Sequence, residues 1–243
     1  MNMNPLTDPM GAAIHDYYHK GKAGRLIVKS SMFEDDEIPV ASLFRDFAQM
    51  PPLERAALNL AQGRILDVGA GSGCHSVALK TMGKEVVAID ISPLSVAVMR
   101  ERGLDAREVN FFDKSFDEKY DTVLMLMNGT GIIGRLENMP AFFDRLKSLL
   151  GEGGSVLIDS SDLKYLYEEE DGSFMIDLAD EYYGLVDYQM KYKNILGEPF
   201  DWLYIDFETL SYYASENGFT AEMVYEGEHY DYLAKLTNNL NNI

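Results

Sequence analysis

The segment Ile65–Leu79, ILDVGAGSGCHSVAL, constrains this chain more than any other, because it reads as a strand that ends in an acid and passes through a glycine loop into a helix. The apolar run Arg64-Ile-Leu-Asp-Val supplies a buried parallel strand. Gly69, Gly71 and Gly73 then allow the backbone to turn sharply and to come close to a ligand. Val77, Ala78 and Leu79 continue at helical spacing, so the unit is strand, loop and helix.

The spacing of the glycines narrows what such a loop can hold. In the dinucleotide fingerprint G-x-G-x-x-G, a third glycine would follow Gly69 and Gly71, but Cys74 stands there; counted from Gly71 and Gly73, the residue is Ser76. No Gly-Lys-Ser/Thr follows, so the loop is not a P-loop either. What remains is Asp67-x-Gly69-x-Gly71-x-Gly73, with a carboxylate at the carboxyl end of the strand. That charge opposes a pyrophosphate and suits a cationic ligand.

A second strand, Glu85–Asp90, also ends in an acid, placed to accept both hydroxyls of a ribose. A third, Tyr120–Met127, ends in Asn128-Gly129, and a fourth, Ser155–Asp159, follows the turn Gly151–Gly154. Strands and helices alternate throughout this region.

In these features the sequence resembles the class I S-adenosylmethionine-dependent methyltransferases, from about Gly63 to Asp159 and again at the C-terminus. The resemblance rests on the Asp67 glycine loop, on Asp90 followed by Ile-Ser-Pro and a helix, on Val109-Asn110-Phe111, and on the strand Tyr120–Met127 with its loop. It implies an α/β fold: a Rossmann-like, doubly wound, mostly parallel seven-stranded sheet with an antiparallel C-terminal strand. It implies S-adenosylmethionine as cofactor and S-adenosylhomocysteine as product. Gly69, Ala70, Gly71 and Gly73 would pass under the amino acid part, with Asp67 near its ammonium and His75 beside the loop. Asp90 would hold the ribose and Ile91 cover one adenine face. Asn110 replaces the family's usual acid, though its amide can both accept and donate; Phe111 would stack, and Met127 and Asn128 would reach the methionine portion.

Composition bounds the remaining choices. A net charge of −19 repels phosphate backbones, which argues against a nucleic acid substrate. The runs Glu34–Glu37 and Glu168–Asp171 are read as solvated loops rather than as lures for an amine. No apolar run has the ~20 residues of a membrane span, Met1–Met10 lacks the apolar region of a secretory signal, and Cys74 is a lone cysteine, so a cytosolic protein is expected. Oligomeric state is left open.

Two additions flank the core, which is expected over 61–159 and 207–237. The first, residues 1–60, is read as a helical extension: a helix over Pro5–Lys22 stopped at Gly21 and Gly24, an extended piece Arg25–Lys29, a second helix over Val40–Ala48, and a third over Leu53–Leu60. The second, residues 160–206, carries a β-hairpin of Gly184–Tyr192 and Phe200–Ile205. Both lead to or from the carboxyl ends of the core strands, where ligands bind in open α/β sheets, and together they are expected to form a lid. Within the core, the brief link Phe111–Lys119 implies that one of the usual crossover helices is reduced or missing.

The acceptor is expected to be a small molecule bound among Tyr17, Tyr18, Phe33, Arg45, Tyr165, Trp202 and Tyr204, with Arg45 either binding a carboxylate or pairing with Asp46 or Glu34. In-line methyl transfer needs neither metal nor covalent intermediate, and no catalytic residue is assigned. A general base, where one is needed, would come from His15, His19, His75, His229 or a carboxylate. Asn128-Gly129 is read equally as a turn and as a contact to the acceptor, and Cys74 as space-filling rather than reactive. Two rivals stand beside the methyltransferase: a non-catalytic sensor of S-adenosylmethionine, and an aminopropyl transferase, for which the expected acidic pair is missing at Asn128-Gly129.

Overall fold

The computed structural model describes residues 3–169, 171, 173–175 and 181–239. A 3-10 turn at Pro5–Thr7 leads into helix α1 (Pro9–Lys20), shorter than expected because Asp8 caps it, its carboxylate accepting the Gly11 N–H at 2.7 Å. Gly21, left-handed at φ +67°, ends it. Strands β1 (Leu26–Lys29) and β2 (Asp36–Ile38) follow.

The expected helix over Val40–Ala48 is instead two 3-10 turns, Val40–Phe44 and Phe47–Gln49, with Arg45 and Asp46 extended between them. Asp46 caps the second turn, and Arg45 is drawn away to Glu54 of helix α2 (Pro52–Leu60), so no continuous helix forms.

The core alternates as expected: β3 (Arg64–Val68), α3 (Cys74–Thr81), β4 (Glu85–Asp90), α4 (Pro93–Glu101) and β5 (Asp105–Glu108). Residues 109–119 form the predicted helix-free link to β6 (Tyr120–Met125), and α5 (Met139–Leu149) then leads into β7 (Leu150–Ser161). Strand β6 stops two residues early, because Met127 and Asn128 take left-handed backbone angles.

The inserted region supplies β8 (Leu185–Tyr192), β9 (Ile195–Leu196) and β10 (Phe200–Leu203). The chain closes with α6 (Phe207–Glu216), β11 (Phe219–Glu226) and β12 (Asp231–Asn238). Residues 240–243 lie outside the described residues, as does part of the acidic run at 168–171.

The main sheet has seven strands in the order β11-β12-β7-β6-β3-β4-β5. Strands β3 to β7 run parallel, and β12 enters antiparallel against β7. Leu66, Val123, Val156 and Ile158 are wholly buried on this sheet, and each contributes about 1.5–3 kcal/mol relative to exposure. Phe142, Phe143 and Leu146 of α5 pack on the same core. Among the described residues no helix is long and apolar enough to cross a membrane.

The two additions are not separate. Strand β1 of the first pairs antiparallel with β8 of the second, Val28 opposite Met190, giving a second sheet in the order β10-β8-β1-β2 with β9 paired to β8. Alone, β1 and β2 would be a short exposed ribbon with open edges; β8 covers one of them. One end of this sheet is anchored by Leu26 and Tyr192, buried with Ile14 of α1 and Val98 of α4. The other is anchored by Trp202, whose ring lies so close to Gly131 that any side chain there would collide with it.

Candidate active site

The sheet order places β3 between β4 and β6, so the chain leaves β3 at a switch point, with a crevice above its carboxyl end. The glycine loop lies there. Gly69, Gly71 and Gly73 have φ of +68°, +57° and +79°, angles that side-chain-bearing residues rarely adopt. At Gly73 a side chain would run into Leu104 and Met99, which explains that glycine by packing. At Gly71 the space a Cβ would enter is open except for Ile14 Cδ1 at 3.9 Å, so the loop presents bare backbone to the crevice.

Asp90 braces the loop. Its two carboxylate oxygens accept the N–H of Gly71 and of Ser92, each at 2.8 Å, and burial raises the carboxyl to about 6 despite these bonds. Ile91, next along, is 39% exposed at the crevice rim. Ser92 also caps α4 and donates to Asp8 at 2.5 Å, which ties the start of α1 to the same corner.

Asp67 is buried beneath the loop, where it accepts the Ser76 hydroxyl at 2.6 Å, and burial raises its carboxyl. It therefore anchors the first turn of α3 as well as setting a negative charge under the loop. Asn110 is exposed, but its amide oxygen already accepts the Phe112 N–H at 2.9 Å. Phe111 corrects the expectation of stacking: its ring is 4% exposed, packed against Phe112 and Phe142, with the Arg145 guanidinium 6.0 Å from its centroid.

Across the crevice, Met127 is 42% exposed and Asn128 half-buried, at φ +68° and +57°. Two consecutive left-handed residues cost roughly 1–2 kcal/mol each and need something to hold them. Asp159, at the carboxyl end of β7, does so: its carboxylate accepts the N–H of Gly129 at 2.8 Å and of Met127 at 3.2 Å. Burial raises Asp159 to about 6. The Asn128 amide oxygen accepts the Ser161 hydroxyl at 3.0 Å, so the turn reading describes what these residues do here. Sequence reasoning missed Asp159, although it shares with Asp67 and Asp90 the signal of an acid ending a core strand.

Behind the loop lies a buried ionic cluster. Glu54 accepts from Arg45 Nε at 3.0 Å, forms a second bond to the same guanidinium, and meets His75 Nε2 at 2.9 Å. Burial pushes the Glu54 carboxyl up, but His75 and Arg45 outweigh it and hold it below its usual value. Arg45 thus pairs with neither Asp46 nor Glu34, and it is not free for a substrate carboxylate. His75 is structural and loop-adjacent. Cys74 is buried, its thiol pushed up by burial to about 11, which supports the space-filling reading.

The acceptor candidates divide into two groups. Tyr17 stacks on Phe44 at 4.8 Å, and Tyr18 lies near the same ring, by α1. Trp202 and Tyr204 sit at the opposite end, Trp202 against Gly131 and the Tyr204 hydroxyl 3.0 Å from that of Tyr188, while Tyr165 stacks on Tyr230 with ring centroids 5.6 Å apart. Phe33 is exposed in the β1–β2 connection. Tyr188 and Phe200 join the second group and were missed; the alternation Val186, Tyr188, Met190, Tyr192 along β8 is the signal that marks them. His15 and His19 touch ring to ring at 4.3 Å, His229 is exposed, and no metal-ligating cluster occurs among the described residues.

A bare glycine loop at a switch point, braced by an acid on the next strand, defines a doubly wound α/β protein with a seat for a nucleotide-like cofactor. A family model described as "Methyltransferase domain" matches residues 43–221, and the chain belongs to that family. A crystal structure of a SAM-dependent methyltransferase from Bacteroides fragilis, in complex with S-adenosyl-L-homocysteine, is 63% identical with a TM-score of 0.93, covering 98% of each chain. An uncharacterized methyltransferase of Staphylococcus carnosus is 31% identical over 151 residues, 58% of this chain and 72% of its own. A cypemycin N-terminal methyltransferase from Streptomyces is 33% identical over 102 residues, 40% of this chain and 42% of its own length. The chain is an S-adenosylmethionine-dependent methyltransferase.

Proposed function

We propose that this enzyme acts in the cytosol on a small-molecule acceptor, methylating a nitrogen, oxygen or sulfur atom by direct in-line displacement. The observation that carries this reading is the second sheet. Strands from the two additions meet over the core, anchored at α1 and at the Gly129–Ile133 turn, with Val28, Tyr188, Met190 and Phe200 between the anchors left half-buried. Those side chains and the ends of β6 and β7 form the walls of an acceptor pocket, with Tyr165, Trp202 and Tyr204 in it and Tyr17, Tyr18 and Phe33 completing its far side. The acidic surface argues against nucleic acid as the acceptor.

S-adenosylmethionine supplies an electrophilic methyl group on a sulfonium. The protein's part is to seat it and to align the acceptor. Gly69, Ala70, Gly71 and Gly73 offer backbone to its amino acid part, the Asp67 charge lies beneath, Asp90 accepts the ribose hydroxyls, and Ile91 and Asn110 border the adenine. Met127 and Asn128, fixed by Asp159, face the methionine portion. Alignment in a water-poor cleft accounts for most of the acceleration, since effective molarities for well-placed partners are large.

The test is product formation from isotopically labelled S-adenosylmethionine with a panel of amines, phenols, carboxylic acids and thiols. Label in one class of small molecule is the expected result; label only in a protein or nucleic acid would overturn the reading.

A further inference from the structure

Aromatic rings gather on one side of the Gly129–Ile133 turn. Tyr188 and Phe200 have centroids 6.1 Å apart, and Phe200 and Trp202 5.9 Å. The Tyr204 hydroxyl joins them, 3.0 Å from that of Tyr188. The same turn is held by Asp159 through the Gly129 N–H, two residues from the Gly131 that the Trp202 ring covers.

Among the described residues no Lys or Arg forms an ion pair with Asp159; only backbone N–H groups bind its oxygens. The charged groups that act on Asp159 are Glu54, of like sign, and His75, which already pairs with Glu54 at 2.9 Å; Lys164 is matched with Asp162 at 3.1 Å, and Arg135 with Asp201 at 2.6 Å and Glu181 at 2.8 Å. The surroundings are therefore π faces, a pair of neutral hydroxyls and a carboxylate without a cationic partner.

Charge selects among acceptors. When an amine lone pair forms the N–C bond, the C–S pair stays on sulfur and the positive charge moves from sulfur to nitrogen, so the site holds a cation before and after. When a phenolate or carboxylate attacks, an anion must first enter beside Asp159 with no cation to receive it. Aromatic faces and a carboxylate stabilise the former and oppose the latter. Resting on the methyl-transfer reading above, we infer that the acceptor is an amine, held between the Tyr188, Phe200 and Trp202 rings and the Asp159 end of β7. A primary or secondary amine enters neutral, having left its proton in water, and the methylated ammonium returns its extra proton to water on release.

The probe is a cation that cannot react. Benzyltrimethylammonium and, separately, benzoate are titrated by calorimetry into protein already saturated with S-adenosylhomocysteine. Saturable binding of the ammonium, weakened about tenfold by Phe200→Ala and by Asp159→Asn, with none for benzoate, is the expected result. Phe200 is half-buried on the edge strand β10, and thermal unfolding of each variant separates loss of binding from misfolding. Binding of benzoate in preference to the ammonium, binding of neither, or ammonium binding indifferent to both substitutions would overturn the amine assignment. Failure of S-adenosylhomocysteine itself to bind would instead overturn the methyl-transfer reading.

Discussion

The carboxylate of Asp159 accepts the backbone N–H of Gly129 at 2.8 Å and, through its other oxygen, that of Met127, so one side chain on β7 fixes the left-handed turn that ends β6. Neither residue of that turn is a glycine at its strained position. Asp159→Asn replaces one acceptor oxygen with an N–H donor facing a backbone N–H. A loss of about 1–3 kcal/mol in stability by urea unfolding is expected, with kcat lowered more than the KM for cofactor is raised. Unchanged stability and rate would mean that the turn holds itself.

The Glu54 cluster makes a second, independent prediction. Both Glu54 and Arg45 are about nine-tenths buried, and His75 is more so. Glu54→Ala leaves Arg45 and His75 without their shared anion, and breaking a buried pair in this way costs about 3–5 kcal/mol. Thermal unfolding should report a large drop in Tm. A drop no greater than that of an ordinary surface substitution would show the cluster to be solvated in solution.

At Gly131, a methyl group has nowhere to go, because the Trp202 ring fills the space. Gly131→Ala should cost about 1–3 kcal/mol by overpacking and should shift Trp202 fluorescence, Trp202 being the chain's single tryptophan. An unaltered emission spectrum would place the ring elsewhere.

Cofactor affinity should depend on pH through Asp90. Burial raises its carboxyl to about 6 in the folded protein, and only the carboxylate offers full acceptor capacity to ribose hydroxyls. Above pH 6 the group is ionised and binding is at its strongest; as pH falls through 6 it takes up a proton and affinity declines. Calorimetry with S-adenosylhomocysteine at pH 5, 6 and 7.5 checks this, and Asp90→Asn should flatten the profile.

The core was legible because its strands carry local marks: apolar runs in β3, β4, β6 and β7, an acid near the carboxyl end of β3, β4 and β7, and a glycine loop or a Ser-Pro start after β3 and β4. Asp67, Asp90, Ser92-Pro93 and the short link before Tyr120 all fall where those marks place them. The second sheet was not legible as a sheet. Its strands β1 and β8 are separated by more than 150 residues, and pairing across such a distance depends on tertiary packing against Ile14 and Gly131 rather than on any local pattern. The helix expected at Val40–Ala48 failed for a related reason, since the long-range pull of Glu54 on Arg45 overrides local propensity. Phe111 looked like a stacking residue because the family resemblance sets Val109-Asn110-Phe111 beside the adenine, but its side chain is buried in the core against Phe142.

The account stands on the seat formed by the Gly69–Gly73 loop and Asp90, and titration of S-adenosylhomocysteine into the wild-type protein and into Asp90→Ala measures it directly. Saturable binding of one molecule per chain is expected, weakened in the variant by about 1–3 kcal/mol, roughly 5- to 150-fold in Kd. Absence of binding at millimolar ligand, or an affinity untouched by the loss of Asp90, would contradict it.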